Sequence, residues 1–176
     1  AGSDGLLLPS AITLIADGRL CYRGHDAVAL SEGLDLEETA RLLWQAQDWD
    51  PFAELSERSG MKLPVASELP PLARLMASLP LAEAADPQAV NHSRRGCART
   101  GARLLLHARD VMLPAAAGST ERLHAALAAG WGLAPAGADL VRRCLVLCAD
   151  HEFNASAFAA RCVAGTGASV YAAVTA

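Results

Sequence analysis

Ala149-Asp150-His151-Glu152-Phe153-Asn154-Ala155-Ser156 is the stretch on which the fold turns. The apolar run Leu145-Val146-Leu147-Cys148 leads into it as a helix would, and Asp-His-Glu interrupts that run. Asn154 and Ser156 are residue types whose side chains cap the first turn of a new helix. The stretch therefore reads as a break between two helices, with a histidine set between two carboxylates. A histidine near a helix N-terminus feels the positive end of the helix dipole, which disfavours imidazolium. Asp150 and Glu152 pull the other way and favour the charged ring. A neutral imidazole can still donate one N–H bond to an oxygen on which charge develops. The plainer reading is a buried histidine satisfied by a backbone carbonyl.

Working outward, composition favours helices. The chain has 176 residues, enough for one domain with a real core. It is 52% hydrophobic, mostly Ala and Leu, and only 5% aromatic. Such side chains lose little rotamer freedom in a helix. A net charge of −4 without a Lys/Arg stripe argues against a nucleic-acid surface. The apolar runs are too short to span a membrane, and no secretory signal is evident. Five cysteines without regular spacing read as free thiols in a reducing cytoplasm.

One segment reads as β-structure. Ile12–Ile15 and Arg19–Tyr22 flank Ala16-Asp17-Gly18, and Asp-Gly signals a tight hairpin turn. Everything later reads as helix. Asp35 and Glu38 form a capping-box pair ahead of Leu36, Ala40, Leu43 and Trp44. Asp50-Pro51 predicts a short helix that stops near Gly60, and Pro70-Pro71 a second within Leu69–Leu79. Asp86-Pro87 is read as the start of the longest helix, which Pro114 ends after Leu113. Ser119 or Thr120 is expected to cap a helix running to Ala129. Helices from Ala138 to Asp150, Ala155 to Val163 and Ser169 onward complete the pattern. The last stops in mid-pattern, so the expectation is that the natural chain continues.

The stretch Ala149–Ser156, with Phe158-Ala-Ala-Arg161 and Ala164-Gly-Thr-Gly-Ala168, closely resembles the citrate synthase family, including both citrate and 2-methylcitrate synthases. Leu20-Cys-Tyr22-Arg23-Gly24-His25-Asp26, then Leu30, is similar to the family's "YRGY" hairpin exit into its first helix. The two anchors occur in family order. The resemblance implies an all-α, multi-helical fragment of the family's large domain with a short N-terminal β-hairpin. It assigns residues 1–149 to the first half of that large domain, and residues 150–176 to the active-site histidine segment and the start of the hinge and small domain.

By the same resemblance, the parent protein condenses acetyl-CoA or propionyl-CoA with oxaloacetate through an enol, as an acyltransferase. His151 takes the role of donor to the thioester oxygen. Asp150, Glu152 and Asn154 are candidates for fixing its tautomer and the loop around it. The family's "GPxHGG" histidine, its aspartate base and its carboxylate-binding arginines come later in the family's order and are not among these residues. The 176 residues alone are therefore expected to be inactive. An earlier substrate histidine of many members aligns near Glu121, with His124 one turn later. The resemblance further implies a homodimer in the cytoplasm, acyl-CoA as a co-substrate with no permanently bound cofactor, and neither nucleic acid nor membrane as partner. The readings from other classes are a non-catalytic, citrate-synthase-like binding or regulatory protein and a helical dimerisation module.

Other clusters read more plainly. Cys144, Cys148 and His151 share a helix face at i, i+4 and i+7, with Cys162 beyond. Without a paired C-x₂-C the better reading is packing, and no metal is expected. Arg94, Arg95, Arg99 and Arg103 recur about once per turn and could hold CoA phosphates, but a solvated face or ion pairs is the better reading. Gly165 and Gly167 read as a helix break, since no strand precedes them. His25, His92 and His107 read as structural. Gly96, Ala98, Gly101 and Ala102 would let another helix approach closely, within the chain or across a dimer.

Overall fold

The structure, a computed structural model, describes residues 10–55, 68–117, 119, 121–150 and 154–176. Eight α-helices account for more than half of these described residues, beside one small antiparallel sheet. Strands β1 (Thr13–Ala16) and β2 (Arg19–Tyr22) form the expected hairpin, with Thr13 opposite Tyr22 and Ala16 opposite Arg19. Asp17 and Gly18 both take positive φ, 52° and 71°, as the twist-matched two-residue turn requires. A second tight turn at Arg23-Gly24 adds a short third strand, β3 (His25–Asp26). Asp26 then caps α1 (Ala27–Gly33) by accepting from the Val28 and Ala29 amides.

Helix α2 (Leu36–Leu43) starts with the predicted capping box. Asp35 accepts from the Glu38 amide at 2.8 Å, and Glu38 accepts from the Asp35 amide at 3.0 Å. After it comes a 3₁₀ turn at Ala53–Leu55, where a longer helix was expected; the rest of that expected helix lies outside the described residues.

Helix α3 (Pro71–Ala84) runs past Pro80, where the sequence predicts a stop. An internal proline removes one hydrogen bond and costs roughly 3 kcal/mol. Continuation buries Leu79 and Ala82 almost completely, against Leu104 and Tyr171. The longest helix, α4, spans Arg94–Met112 and starts later than Asp86-Pro87 suggests. The Asp86 carboxylate turns its own loop by accepting from the Gln88 amide, and Ser93 is the cap, accepting from the Gly96 amide. Pro114 then opens a 3₁₀ turn, as a residue that ends a helix can.

Helix α5 (Leu123–Gly130) packs as a hairpin on α6 (Pro135–Leu147), and α7 (Ala155–Gly165) on α8 (Val170–Thr175). The Ser119 hydroxyl accepts from the Glu121 amide, ahead of the helix, and Thr120 lies outside the described residues. The first amide of α5, from Leu123, is instead taken at 2.7 Å by Glu37 of α2. A cap supplied by another helix has no local sequence signature.

The core falls into three connected clusters. Tyr22, Ala27 and Leu43 join the sheet to α1, α2 and the end of α6. Ala40, Phe52, Leu55 and Ala102 join α2 to α4, with Trp44 stacked on Phe52 at 6.0 Å. Leu79, Ala82, Ala89, Leu104 and Tyr171 join α3, α4 and α8. The small residues of α4 serve this internal packing. A Cβ on Gly101 would sit 2.9 Å from the Trp44 ring, and one on Gly96 would sit 2.3 Å from the Asn91 carbonyl oxygen.

Candidate functional site

The site is built at the end of α6. Its last turn carries Leu147, and the chain passes through Cys148 and Ala149 to Asp150. Tyr22, fully buried, reaches this end from the sheet. Its hydroxyl donates toward the carbonyls of Leu147, at 2.8 Å, and Asp150, at 3.1 Å, and the Asp150 amide points back at the same oxygen at 3.5 Å. The final carbonyls of a helix lack intrahelical donors, so an outside hydroxyl satisfies groups that would otherwise need water. Burial pushes the Tyr22 phenol above its ordinary range, so it stays a neutral donor at physiological pH. The Thr13 hydroxyl donates to the Asp150 carboxylate. The hairpin thus grips Asp150 through both backbone and side chain.

The other side of the junction is fixed by Asn154. Its side-chain oxygen accepts from the Ala157 amide at 2.8 Å and starts α7. His151 and Glu152 lie between these anchors, outside the described residues. Asp150 and Asn154, the two flanking candidates that are described, have side chains engaged with Thr13 and with the α7 backbone. After α7, Gly167 at φ 81° closes the helix, so the Gly-Thr-Gly segment is a helix break.

Sequence comparison with family models supplies the deciding observation: residues 4–176 match the family model described as citrate synthase, C-terminal domain. The chain belongs to the citrate synthase family. No curated protein matches it. Its fold is similar to the crystal structure of citrate synthase from Pyrobaculum aerophilum, with a TM-score of 0.69 and 18% sequence identity. The likeness covers 98% of this chain and 52% of that one, so the chain spans about half the length of that citrate synthase.

Within this member of the citrate synthase family, the remaining candidates separate. Glu121 is exposed. His124, in the first turn of α5, has a buried Nδ1 with no hydrogen-bond partner among the described residues. Glu37, which takes the amide of the preceding residue Leu123, is buried, and burial raises its carboxyl above the ordinary range despite that bond. One oxygen of Glu37 takes that amide; the other is buried without a partner among the described residues. Local pattern could not have singled out Glu37, which reads as an ordinary acidic residue in the first turn of α2.

The arginines diverge. Arg103 pairs with the buried Asp86, Arg95 lies 4.6 Å over the Trp49 ring, Arg94 donates to Gln45, and Arg99 is also engaged. His107 is buried, with Nε2 2.7 Å from the Ser78 hydroxyl. That hydroxyl also lies 2.6 Å from the Leu75 carbonyl, which can only accept its proton, so Nε2–H is the donor to Ser78. His25 and His92 are exposed, and His107 is the buried one of the three. Cys144, Cys148 and Cys162 are exposed free thiols, which corrects their reading as core residues. Among the described residues, no group of three His, Cys, Asp or Glu side chains could hold a metal, and no helix is long and apolar enough to cross a membrane.

Proposed function

We propose that this chain carries the enol-stabilising histidine of a citrate-synthase-type condensation between acetyl-CoA or propionyl-CoA and oxaloacetate. The observation that carries this reading is the double anchoring of the junction that contains His151. Tyr22 and Thr13 hold Asp150, and Asn154 starts the next helix. A donor contributes to catalysis when its position is set before charge develops, because no reorganisation is then needed in the transition state. Asp150 acts by holding the loop to the sheet, and Asn154 by fixing where α7 begins. Glu152 is proposed to set the tautomer of the ring.

In this proposal His151 donates an N–H bond to the thioester oxygen as the α-proton leaves. The enol carbon then attacks the oxaloacetate carbonyl, and hydrolysis releases the acid and CoA. The base and the carboxylate-binding arginines belong to family motifs that these 176 residues do not include. The activity is therefore proposed for a protein that joins this chain to those groups, and the 176 residues alone are proposed to be inactive. His124, whose buried Nδ1 has no partner among the described residues, is a better candidate than Glu121 for the earlier oxaloacetate-binding histidine. The expected assembly is a cytoplasmic homodimer. The small residues of α4 face inward, so its contact surface is better sought at exposed Trp131, Leu133 and Leu140 around the α5–α6 turn.

The test is His151→Ala in the complete parent protein. Loss of one key donor lowers turnover by at least ~10². Near-normal condensation by the variant would remove His151 from the mechanism. Binding of oxaloacetate and acyl-CoA by the unmodified protein without turnover would favour a regulatory protein instead.

A further inference from the structure

A cleft of about 590 Å³ opens where β1, the Arg23-Gly24 turn, the C-terminal end of α2 and the start of α4 meet. Its wall includes Ser10, Thr13, Arg23, His25, Gln45 and Arg94, and among the described residues no aspartate or glutamate lines it. That is a local inversion of sign in a chain whose net charge is −4. Neither guanidinium is neutralised by a carboxylate among the described residues. Arg23 spends its Nε on the Leu43 carbonyl at 2.7 Å and one amino group on the Ala11 carbonyl at 3.4 Å. Arg94 donates to the Gln45 side chain at 3.2 Å. Both arginines retain N–H groups for a further acceptor.

Gln45 supplies an independent observation. It is the residue at which α2 is shut off. Its amide bonds to the Leu42 carbonyl, and the Ala46 amide bonds to the Arg41 carbonyl, in the arrangement that usually places glycine at this point. Gln45 instead has φ 56° with a full side chain, which costs conformational energy. That side chain orients Arg94 at the cleft. Strain of this kind concentrates at binding and catalytic sites.

We propose that this cleft is a binding site for a small phosphate-bearing ligand, distinct from the 150–154 junction although Thr13 borders both. Two guanidinium groups facing one space suit a dianion better than a monocarboxylate, because a single planar fork already satisfies one carboxylate. The volume is that of an ordinary small-molecule site.

The test is an NMR titration of the protein with inorganic phosphate at constant ionic strength, followed at His25, Gln45 and Arg94, with acetate as the competing chemistry. Saturable shifts at these residues, tighter for phosphate than for acetate, are expected. Arg94→Gln removes a charged fork from an exposed position and should weaken phosphate at least ~10-fold. Gln45→Gly should melt higher than the parent yet bind phosphate more weakly, an opposition that a purely structural glutamine would not produce. Unsaturable shifts spread over the surface, acetate binding as tightly as phosphate, or unchanged affinity in both variants would overturn the proposal.

Discussion

Two tyrosines are buried to the same degree and do different work. Tyr22 joins the sheet to the end of α6 through neutral backbone carbonyls. Tyr171 joins α8 to the loop before α4 through a carboxylate: its hydroxyl donates to Asp86 at 3.0 Å, and Asp86 is paired with Arg103. The first arrangement satisfies backbone carbonyls at a helix end and commits no charged side chain. The second commits three polar side chains to holding helices together. The difference lies in what happens when a partner is removed. A backbone carbonyl close to the exposed Cys148 can find water, whereas a partly buried arginine that loses its buried carboxylate cannot easily find another anion.

Removing Asp86 should therefore have the largest effect. Its side chain is 1% exposed, and both Arg103 and Tyr171 depend on it. Asp86→Ala is expected to cost about 3–5 kcal/mol, the range for breaking a buried ion pair by deleting one member. Urea unfolding with an unchanged slope measures this directly. A loss below about 1 kcal/mol would mean that the cluster is solvated and that the contrast with Tyr22 fails.

Phenylalanine at each tyrosine sharpens the contrast. Tyr171→Phe removes a hydrogen bond to a charged group and should cost about 1.5–3 kcal/mol, while Tyr22→Phe removes neutral bonds and should cost about 0.5–1.5 kcal/mol. Only Tyr22→Phe should move the NMR signals of the His151 ring. The pH dependence has a defined sign. Burial raises both phenols, and at Tyr171 the adjacent Asp86 carboxylate raises it further, well above the ordinary value near 10. A raised folded-state value means that stability is intact below the unfolded value and is lost as pH rises through the folded one. Wild-type stability should thus fall above about pH 10. Tyr171→Phe should lessen that fall more than Tyr22→Phe does. His107 sets the opposite limit. Burial lowers its value, so its contribution is present above the ordinary histidine range and is lost as pH falls below it. Ser78→Ala, which removes the acceptor of the neutral ring, tests the packing around that limit.

What was legible in the sequence followed the range of the interactions. The Asp17-Gly18 turn, the Asp35–Glu38 box and the Asn154 cap each involve residues within a few positions of one another, and each appears where the sequence predicts it. Several of the failures are non-local. Pro80 is tolerated because Leu79 and Ala82 are buried by α4 and α8, and α5 is capped by Glu37 from 86 positions away. Asp86, whose sequence neighbour Pro87 suggested a helix start, is used by Arg103 and Tyr171 instead. At the junction, motif resemblance found the family and nominated His151 as its candidate donor. It could not reveal that Tyr22 and Thr13 hold Asp150, because those contacts span more than 120 positions.

The smallest effect probes the far side of the junction. Asn154→Ala deletes the only side-chain oxygen that the described residues supply to the start of α7. N-cap losses of this kind cost about 1 kcal/mol. The penalty should be local, because α7 packs mainly on α8 and the cap itself is exposed. Hydrogen exchange should speed up at Ala157 and its neighbours in α7, while the amides of α6 and the sheet, held by Tyr22, keep their protection. Asn154→Asp should restore the cap and add favourable charge at the helix N-terminus. If Asn154→Ala instead loosened the sheet and α6 together with α7, the two anchors would be one cooperative unit. The division between a side held by Tyr22 and a side held by Asn154 would then have no energetic meaning.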